Sequence, residues 1–258
     1  MSIKFRTLCS GSGGNSALLW TGSSGVLIDF APGCQRDCRA VLHGVKQHAA
    51  VAAVLVTHAH GDHINRNSLK VLKEEGIKVL CHPEVCRQIK ERHGGEYSGI
   101  IEPFEGTLAI AGLKVVQAPV EHSPRCYTSA FIVTAGKYKV SLFTDLSRFT
   151  QEHVALAADS DLLALEANHD LELLKIYGHP GSEFHMSNMR TAEFLHGICA
   201  RGSRQPGTVV LGHLSEDCNR AHLPVKEIED FFGRNNFPVR FKTHVAPRSV
   251  PGPVLTIK

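Results

Sequence analysis

The sequence predicts an α+β fold in which β-sheet is covered by helices, and two patterns predict it. Short continuous apolar runs, such as Ala52–Val56 and Thr208–Leu211, read as buried strands. They are interleaved with stretches punctuated by proline at their start or glycine at their end, as helices are. Periodicity alone leaves open whether the strands form one sheet or two.

Taken in order, residues 3–8 read as a strand that runs into the glycine-rich turn Ser10–Asn15. Strands near 16–20 and 25–29 follow, joined across Thr21–Gly25. Gln35–His43 reads as a short helix, and Asn65–Glu75 as another that stops at Gly76. Lys78–Cys81 is a strand, and Pro83–Arg92 a helix with proline in its first turn. The middle is strand-rich, at 107–111, 113–118, 128–134 and 138–143, with Ala111-Gly112 and Ala135-Gly136 as turns. Then Gln151–Ala158 reads as helix, Asp161–Leu165 as strand, Met186–Ala200 as the longest helix and Pro224–Phe232 as the last. Short strands near 238–241 and 253–257 close the chain, and no linker divides it, so a single domain is expected.

Composition narrows the function classes. With 258 residues, 43% hydrophobic and 21% charged, the chain can bury a core without disulfides. A net charge of +3 permits a polyanionic partner without arguing for one. The eight cysteines include no C-x-x-C pair, so reduced thiols in a cytoplasmic protein are expected. The longest apolar run, Ala49–Val56, is far short of the ~20 residues a membrane helix needs. The first residues contain no apolar core of a secretory leader. A soluble protein without membrane contact is expected.

Histidine is the unusual count, at sixteen. The sharpest signal is Val54-Leu55-Val56-Thr57-His58-Ala59-His60-Gly61-Asp62-His63. A buried strand delivers the chain to a loop where His58 and His60, two apart, can point the same way. Asp62 and His63 follow directly. Imidazole and carboxylate suit zinc and its first-row neighbours, and four such groups in six residues can serve two ions. Two ions need further ligands. His122, Asp145 and His213 each stand just beyond an apolar run. Singly, each is an ordinary strand-end hydrogen bonder; with the central motif they become a ligand set.

These residues, with Asp29 in Val26-Leu27-Ile28-Asp29, resemble the metallo-β-lactamase superfamily, and within it the YycJ/WalJ-type group of bacterial hydrolases. The segments Cys9–Ser16, Thr144-Asp145, Glu166–Asp170, His185–Asn188 and Gly212–Ser215 carry the likeness across nearly the whole chain. The resemblance implies an αββα sandwich, two mixed β-sheets flanked by helices, with two divalent ions at one edge. Zinc is the expected metal, with manganese or iron as alternatives. His58, His60 and His122 would hold the first ion and Asp62, His63 and His213 the second. Asp145 would bridge them, and Asp29 would orient a ligand histidine. The group implies phosphodiester hydrolysis by 5′-to-3′ exonucleases on DNA. The chain departs from the group in its short 171–184 segment and in Asp217-Cys218-Asn219, both outside the ligand set.

Two divalent ions set against Asp62 and Asp145 leave excess positive charge, which favours an anionic substrate such as nucleic acid or another phosphodiester. Expected catalytic residues are Asp62 and, as leaving-group acids, His185 and His169. Asn168, Ser187, Asn188 and Ser215 are expected substrate contacts. His185 is equally placed to cap the helix after it, and Ser10–Asn15 reads either as a phosphate cradle or as a tight turn. Two other functions compete on the same residues. One is hydrolysis of a thioester, lactone or β-lactam; the other is a non-enzymatic metal-binding regulator.

Overall fold

The computed structural model describes residues 2–257. Fourteen strands form two seven-stranded sheets. The first contains β1 (Ile3–Cys9), β2 (Ser16–Thr21), β3 (Ser24–Ile28), β4 (Ala50–Val56), β5 (Lys78–Cys81), β6 (Ile101–Pro103) and, from the end of the chain, β14 (Leu255–Ile257). Its order is β14-β1-β2-β3-β4-β5-β6. The second contains β7 (Thr107–Ile110), β8 (Leu113–Val120), β9 (Thr128–Ala135), β10 (Tyr138–Phe143), β11 (Leu162–Glu166), β12 (Thr208–Gly212) and β13 (Lys242–Val245), in the order β13-β12-β11-β10-β9-β8-β7. Both sheets are mixed in the same way. β3 to β6 run parallel, as do β10 to β13, and the remaining neighbours are antiparallel.

Seven helices cover the outer faces: α1 (Gln35–Lys46), α2 (Arg66–Glu74), α3 (Pro83–His93), α4 (Gln151–Ala157), α5 (Leu171–Tyr177), α6 (Asn188–Arg201) and α7 (His222–Arg234). Strand alternation sorts the apolar side chains into three layers. Leu18 and Trp20 face the helices, while Leu19 between them faces the other sheet. Val54 and Val56 likewise flank the inward Leu55. On the second sheet, Leu163 and Leu165 meet α6 through Phe194 and Leu195, and Leu162 and Ala164 turn inward. This is the αββα sandwich. Trp20, Phe131 and Phe194 anchor the three layers, and each is essentially buried. Truncating any of them to alanine costs about 3–5 kcal/mol.

The structure differs from the sequence expectation in four elements. Residues 238–241 are not a strand; β13 lies one step later, where Lys242–Val245 pair with Thr208–Leu211. The final strand is confined to β14. β6 is an extra edge strand. α5 lies within the 171–184 segment, for which the sequence suggested no element: Asp170 starts it by accepting from Glu172 N and Leu173 N, and none of its residues is buried.

Parallel order also explains the position of the site. The carboxyl ends of β3 and β4 in one sheet and of β10, β11 and β12 in the other open onto one edge of the sandwich. A crevice outside the carboxyl ends of parallel strands is where α/β sheets place ligands. Three residues just beyond those strands, Asp29, Asp145 and His213, have positive φ of 54°, 54° and 56°. Non-glycine residues held there cost on the order of 1–3 kcal/mol each, and the turn aims each side chain across the edge.

Candidate metal centre and its carboxylates

The loop after β4 and the ends of β8, β10 and β12 bring all seven expected ligands together. His58 Nε2 lies 3.0 Å from His60 Nδ1, and His122 Nε2 lies 3.3 Å from that same atom. The second trio is Asp62, His63 and His213: Asp62 Oδ2 is 3.5 Å from His63 Nε2 and 3.3 Å from His213 Nε2. Within each trio the donor atoms lie within 4.8 Å of one another. Asp145 stands between the two trios, with Oδ2 3.0 Å from His63 Nε2 and in a further group with His58. That oxygen is buried and has no hydrogen-bond partner among the described residues. A buried carboxylate oxygen without a hydrogen bond, ringed by imidazoles, fits a bound cation.

Electrostatics point the same way. Burial and neighbouring imidazoles hold His58 well below the ordinary range and His60 down to about 4, so both present lone pairs. Burial also lowers His122. For His63 and His213 burial acts downward, but carboxylates prevail. Asp145, Asp29 and Asp62 raise His63 well above normal, and Asp145, Asp62 and Glu166 raise His213 to about 10. Asp145 is buried, which opposes ionisation, yet His213 and His63 hold it well below the usual carboxylate range. The cluster carries more negative charge than its own protons balance comfortably, which is the donor set a divalent pair suits.

Each ligand histidine on the second trio is aimed by a carboxylate at a strand end. Asp29 Oδ2 accepts from His63 Nδ1 at 2.7 Å, and Asp29 Oδ1 accepts from Thr57 N at 2.8 Å. The Thr57 hydroxyl donates to Asp29 at 2.9 Å and lies 3.0 Å from His58 Nδ1. Asp29 therefore orients one histidine of each trio, which the resemblance implied in outline. Glu166, the last residue of β11, was quoted in the sequence but given no role. It is fully buried, and its Oε1 accepts from His213 Nδ1 at 3.0 Å and from His185 Nδ1 at 2.5 Å. Its Oε2 accepts from Leu146 N at 3.1 Å and Met186 N at 3.2 Å. Burial opposes ionisation, but His185 and these hydrogen bonds keep Glu166 down at about 2. The signal in the sequence was a charged residue closing a run, Leu162-Leu163-Ala164-Leu165, that is otherwise wholly apolar.

His185 falls with Asp145, Glu166 and His213 in a fourth group whose atoms lie within 4.8 Å of one another, yet it stands apart from the seven expected ligands. Its Nδ1 is taken by Glu166, and its Nε2 has no partner among the described residues. Burial would lower it, but Glu166 raises it above the ordinary imidazole range. It is thus held as a proton donor facing the cluster, its ring 5.1 Å from that of His213 and 4.9 Å from that of His122. It does not cap α6; Ser187 does, accepting from Arg190 N.

The remaining expected site residues lie around the cluster. His169, expected to be catalytic, is buried, and its ring makes only a 3.4 Å contact with Asn168 Oδ1. It belongs to none of the ligand groups. The expected substrate contacts are likewise turned inward. Asn168 Nδ2 donates to His213 O, Ser187 caps α6, Asn188 pairs with Asn219, and Ser215 Oγ accepts from Cys218 N. All four are buried. With Asn219, which donates to Ala167 O and Asn168 O, they lock three loops together behind His213 and His185. Short polar side chains bond to nearby backbone, so polarity alone did not reveal which way they face. The glycine-rich segment is a packing turn. A Cβ on Gly14 would lie 1.9 Å from Ala31 O, Asn15 Nδ2 donates to Asp62 Oδ2 at 3.2 Å, and Ser10 Oγ accepts from His213 N. The charge expectation also changes. Asp29 and Glu166 add two buried carboxylates to Asp62 and Asp145, so the centre carries more negative charge than the sequence reading counted.

Two layers of mixed sheet flanked by helices, with a His- and Asp-rich centre at the carboxyl edge, define the metallo-β-lactamase fold. A family model described as "Beta-lactamase superfamily domain" matches residues 25–213, and the chain belongs to that family. Among curated relatives, the exodeoxyribonuclease WalJ of Streptococcus pneumoniae is 23% identical over 241 residues, 86% of each chain. A UPF0173 metal-dependent hydrolase of Thermococcus onnurineus is 29% identical over 134 residues, covering 49% of this chain and 54% of that one. The crystal structure of the metallo-β-lactamase fold protein YhfI from Bacillus subtilis matches with a TM-score of 0.74 at 17% identity, covering 99% of this chain and all of the other. Fold, donors and family agree on a metal-dependent hydrolase. No helix among the described residues is long and apolar enough to cross a membrane.

Proposed function

We propose that the protein is a binuclear metal-dependent phosphodiesterase acting on nucleic acid, with DNA as the first substrate to test. The observation that carries this reading is the Glu166–His185 pair beside the two ligand trios: a carboxylate-held imidazole with a free Nε2 at 18% side-chain exposure. Divalent ions in the trios supply water activation and charge neutralisation. The chain's own residues do the rest. Asp145, His63 and His213 hold the centre in register. His185 donates its Nε2 proton to the departing ester oxygen, and Glu166 stabilises the imidazolium before transfer. Water thus replaces the alcohol on phosphorus, leaving a phosphate monoester and a free hydroxyl.

Two further features support an anionic chain as substrate. A cleft beside His60 is lined by Arg92, Arg125, Gln88, Glu91 and Cys126. Glu91 is tied to Arg87 at 2.6 Å, whereas Arg92 and Arg125 have no carboxylate partner among the described residues. The relative WalJ is named an exodeoxyribonuclease, which accords with such a cleft.

The test incubates metal-loaded protein with 5′-phosphorylated DNA, RNA, bis-p-nitrophenyl phosphate and a β-lactam, with and without chelator. Chelator-sensitive release of nucleotides and p-nitrophenol, with the β-lactam intact, is the expected result. Turnover confined to the β-lactam, or to thioester and lactone substrates added alongside, would replace this reading with another hydrolase on the same fold. Metal binding without turnover of any substrate would leave a regulator.

A further inference from the structure

Away from the metal centre, one pair of side chains is closer than its surroundings require. Cys81 ends β5, and Cys86 lies in the first turns of α3. Their Sγ atoms are 3.0 Å apart. That is inside the about 3.5–4.0 Å at which uncharged heavy atoms rest. No other two cysteine sulfurs of the described residues make such a contact, and all eight thiols are free. Both are buried, Cys81 fully and Cys86 at 4% exposure, and Cys86 borders a surface groove with Pro83, Arg87, Lys90 and Pro103. We propose that Cys81 and Cys86 form a site of reversible thiol oxidation that closes to a disulfide between β5 and α3.

Closing the bond shortens the sulfur separation to about 2.0 Å, a shift the first turn of a helix can absorb. Only the four residues His82–Val85 are enclosed, so chain entropy contributes little and the bond stays easy to reduce. Cys86 is the partner that attacks the peroxide. The hydrogen bond from Cys81 lowers its thiol below the ordinary range, with Lys90 assisting, and it is the one that reaches the groove. With hydrogen peroxide as oxidant, Cys86 takes one oxygen to become the sulfenic acid and one water leaves. Cys81 sulfur then attacks Cys86 sulfur, and the oxygen departs as a second water. Two thiols and one peroxide thus give one disulfide and two waters.

The location gives the bond a consequence for the metal loop. Cys81 pairs in register with Val56, one residue before Thr57 and two before His58. α3 also carries Gln88, which donates to Arg125 O, and Arg92, whose guanidinium donates to Ala59 O between His58 and His60. The thiol pair sits at the root of the helix that braces this loop.

Trypsin places both cysteines in one peptide, Val79–Arg87. Intact protein is treated with hydrogen peroxide, then denatured, alkylated and digested. The expected peptide takes no alkyl group, is about 2 Da lighter than its reduced form, and regains two alkyl groups after dithiothreitol. Cys86→Ser protein, treated identically, is expected to keep Cys81 alkylatable. Cys34, the exposed thiol, serves as the internal reference for oxidant delivery. Two alkyl groups on Val79–Arg87 after Cys34 is consumed would overturn the proposal, and so would irreversible oxidation of a single cysteine in that peptide.

Discussion

Asp29 and Glu166 occupy matching places in the two sheets. Each lies at the carboxyl end of a strand with parallel pairing, each accepts the Nδ1 proton of one histidine in the Asp62 trio, and each also takes backbone N–H groups. They differ in the second histidine they reach. Asp29 extends through the Thr57 hydroxyl to His58, another ligand. Glu166 extends directly to His185, which keeps a free Nε2. One half of the molecule therefore spends its buried carboxylate wholly on holding ligands. The other divides its carboxylate between an expected ligand and the proposed proton donor. On the proposed function, similar local geometry would serve binding in one sheet and reaction in the other, and what decides is the residue one bond further out.

The comparison breaks at the shared residue first. Asp145→Ala removes the side chain that stands between the two trios, so turnover and bound metal are both expected to disappear. Elemental analysis of protein purified without added ions reads the loss; a variant retaining full metal and activity would refute the centre as drawn. His60→Ala should likewise abolish turnover with reduced metal and an intact fold, read by circular dichroism. Next comes His185→Ala, expected to lower kcat by about 10²–10⁴ while bound metal stays at the wild-type level. Metal lost with His185 would make it a ligand and erase the contrast between halves.

The sharpest form of the contrast sets the two carboxylates against each other. Asp29→Asn is expected to weaken metal affinity by about 10–100-fold, with kcat largely recovered at saturating metal. Glu166→Gln is expected to lower kcat by a similar factor that excess metal does not restore, because His185 loses the charge that raises its proton affinity. Metal titrations with activity as readout separate the outcomes. Equal recovery in both variants would mean that Glu166 merely holds His213.

How much of this was legible follows from where the residues bond. The ligands could be read because each stands beside an apolar run, and a strand end is where a chain turns toward a site. Asp29 received its role from the resemblance alone. Glu166 closes an apolar run as well, but its partners come from the loops after β10 and β12 and before α6, and nothing local announces them. The two-sheet arrangement came from resemblance rather than pattern. Val54, Leu55 and Val56 are covered on both faces, one by helices and one by the other sheet, so the period of two is hidden. α5 escaped for the opposite reason: with Ile176 and Tyr177 exposed and no buried face, it shows no apolar stripe. Asn168, Ser187, Asn188 and Ser215 lie beside His213 and His185, with their side chains hydrogen-bonded into the protein.

The smallest effect tests whether the asymmetry extends to the substrate. The cleft with Arg92 and Arg125 lies between α3 and the loop joining β8 to β9, beside His60, whereas the proposed proton donor reaches the centre from the loop before α6. A nucleic acid chain would then be gripped on one side and cleaved from the other. Arg125→Gln is expected to raise KM for a DNA oligonucleotide several-fold, a phosphate contact contributing on the order of 1 kcal/mol. It should leave KM for bis-p-nitrophenyl phosphate unchanged, because that ester has no second phosphate to reach the cleft. The oligonucleotide effect should also shrink as salt rises, since screening weakens exposed charge contacts first. An equal rise in KM for both substrates would place Arg125 at the scissile phosphate itself, and no rise for either would confine recognition to the metal centre and His185.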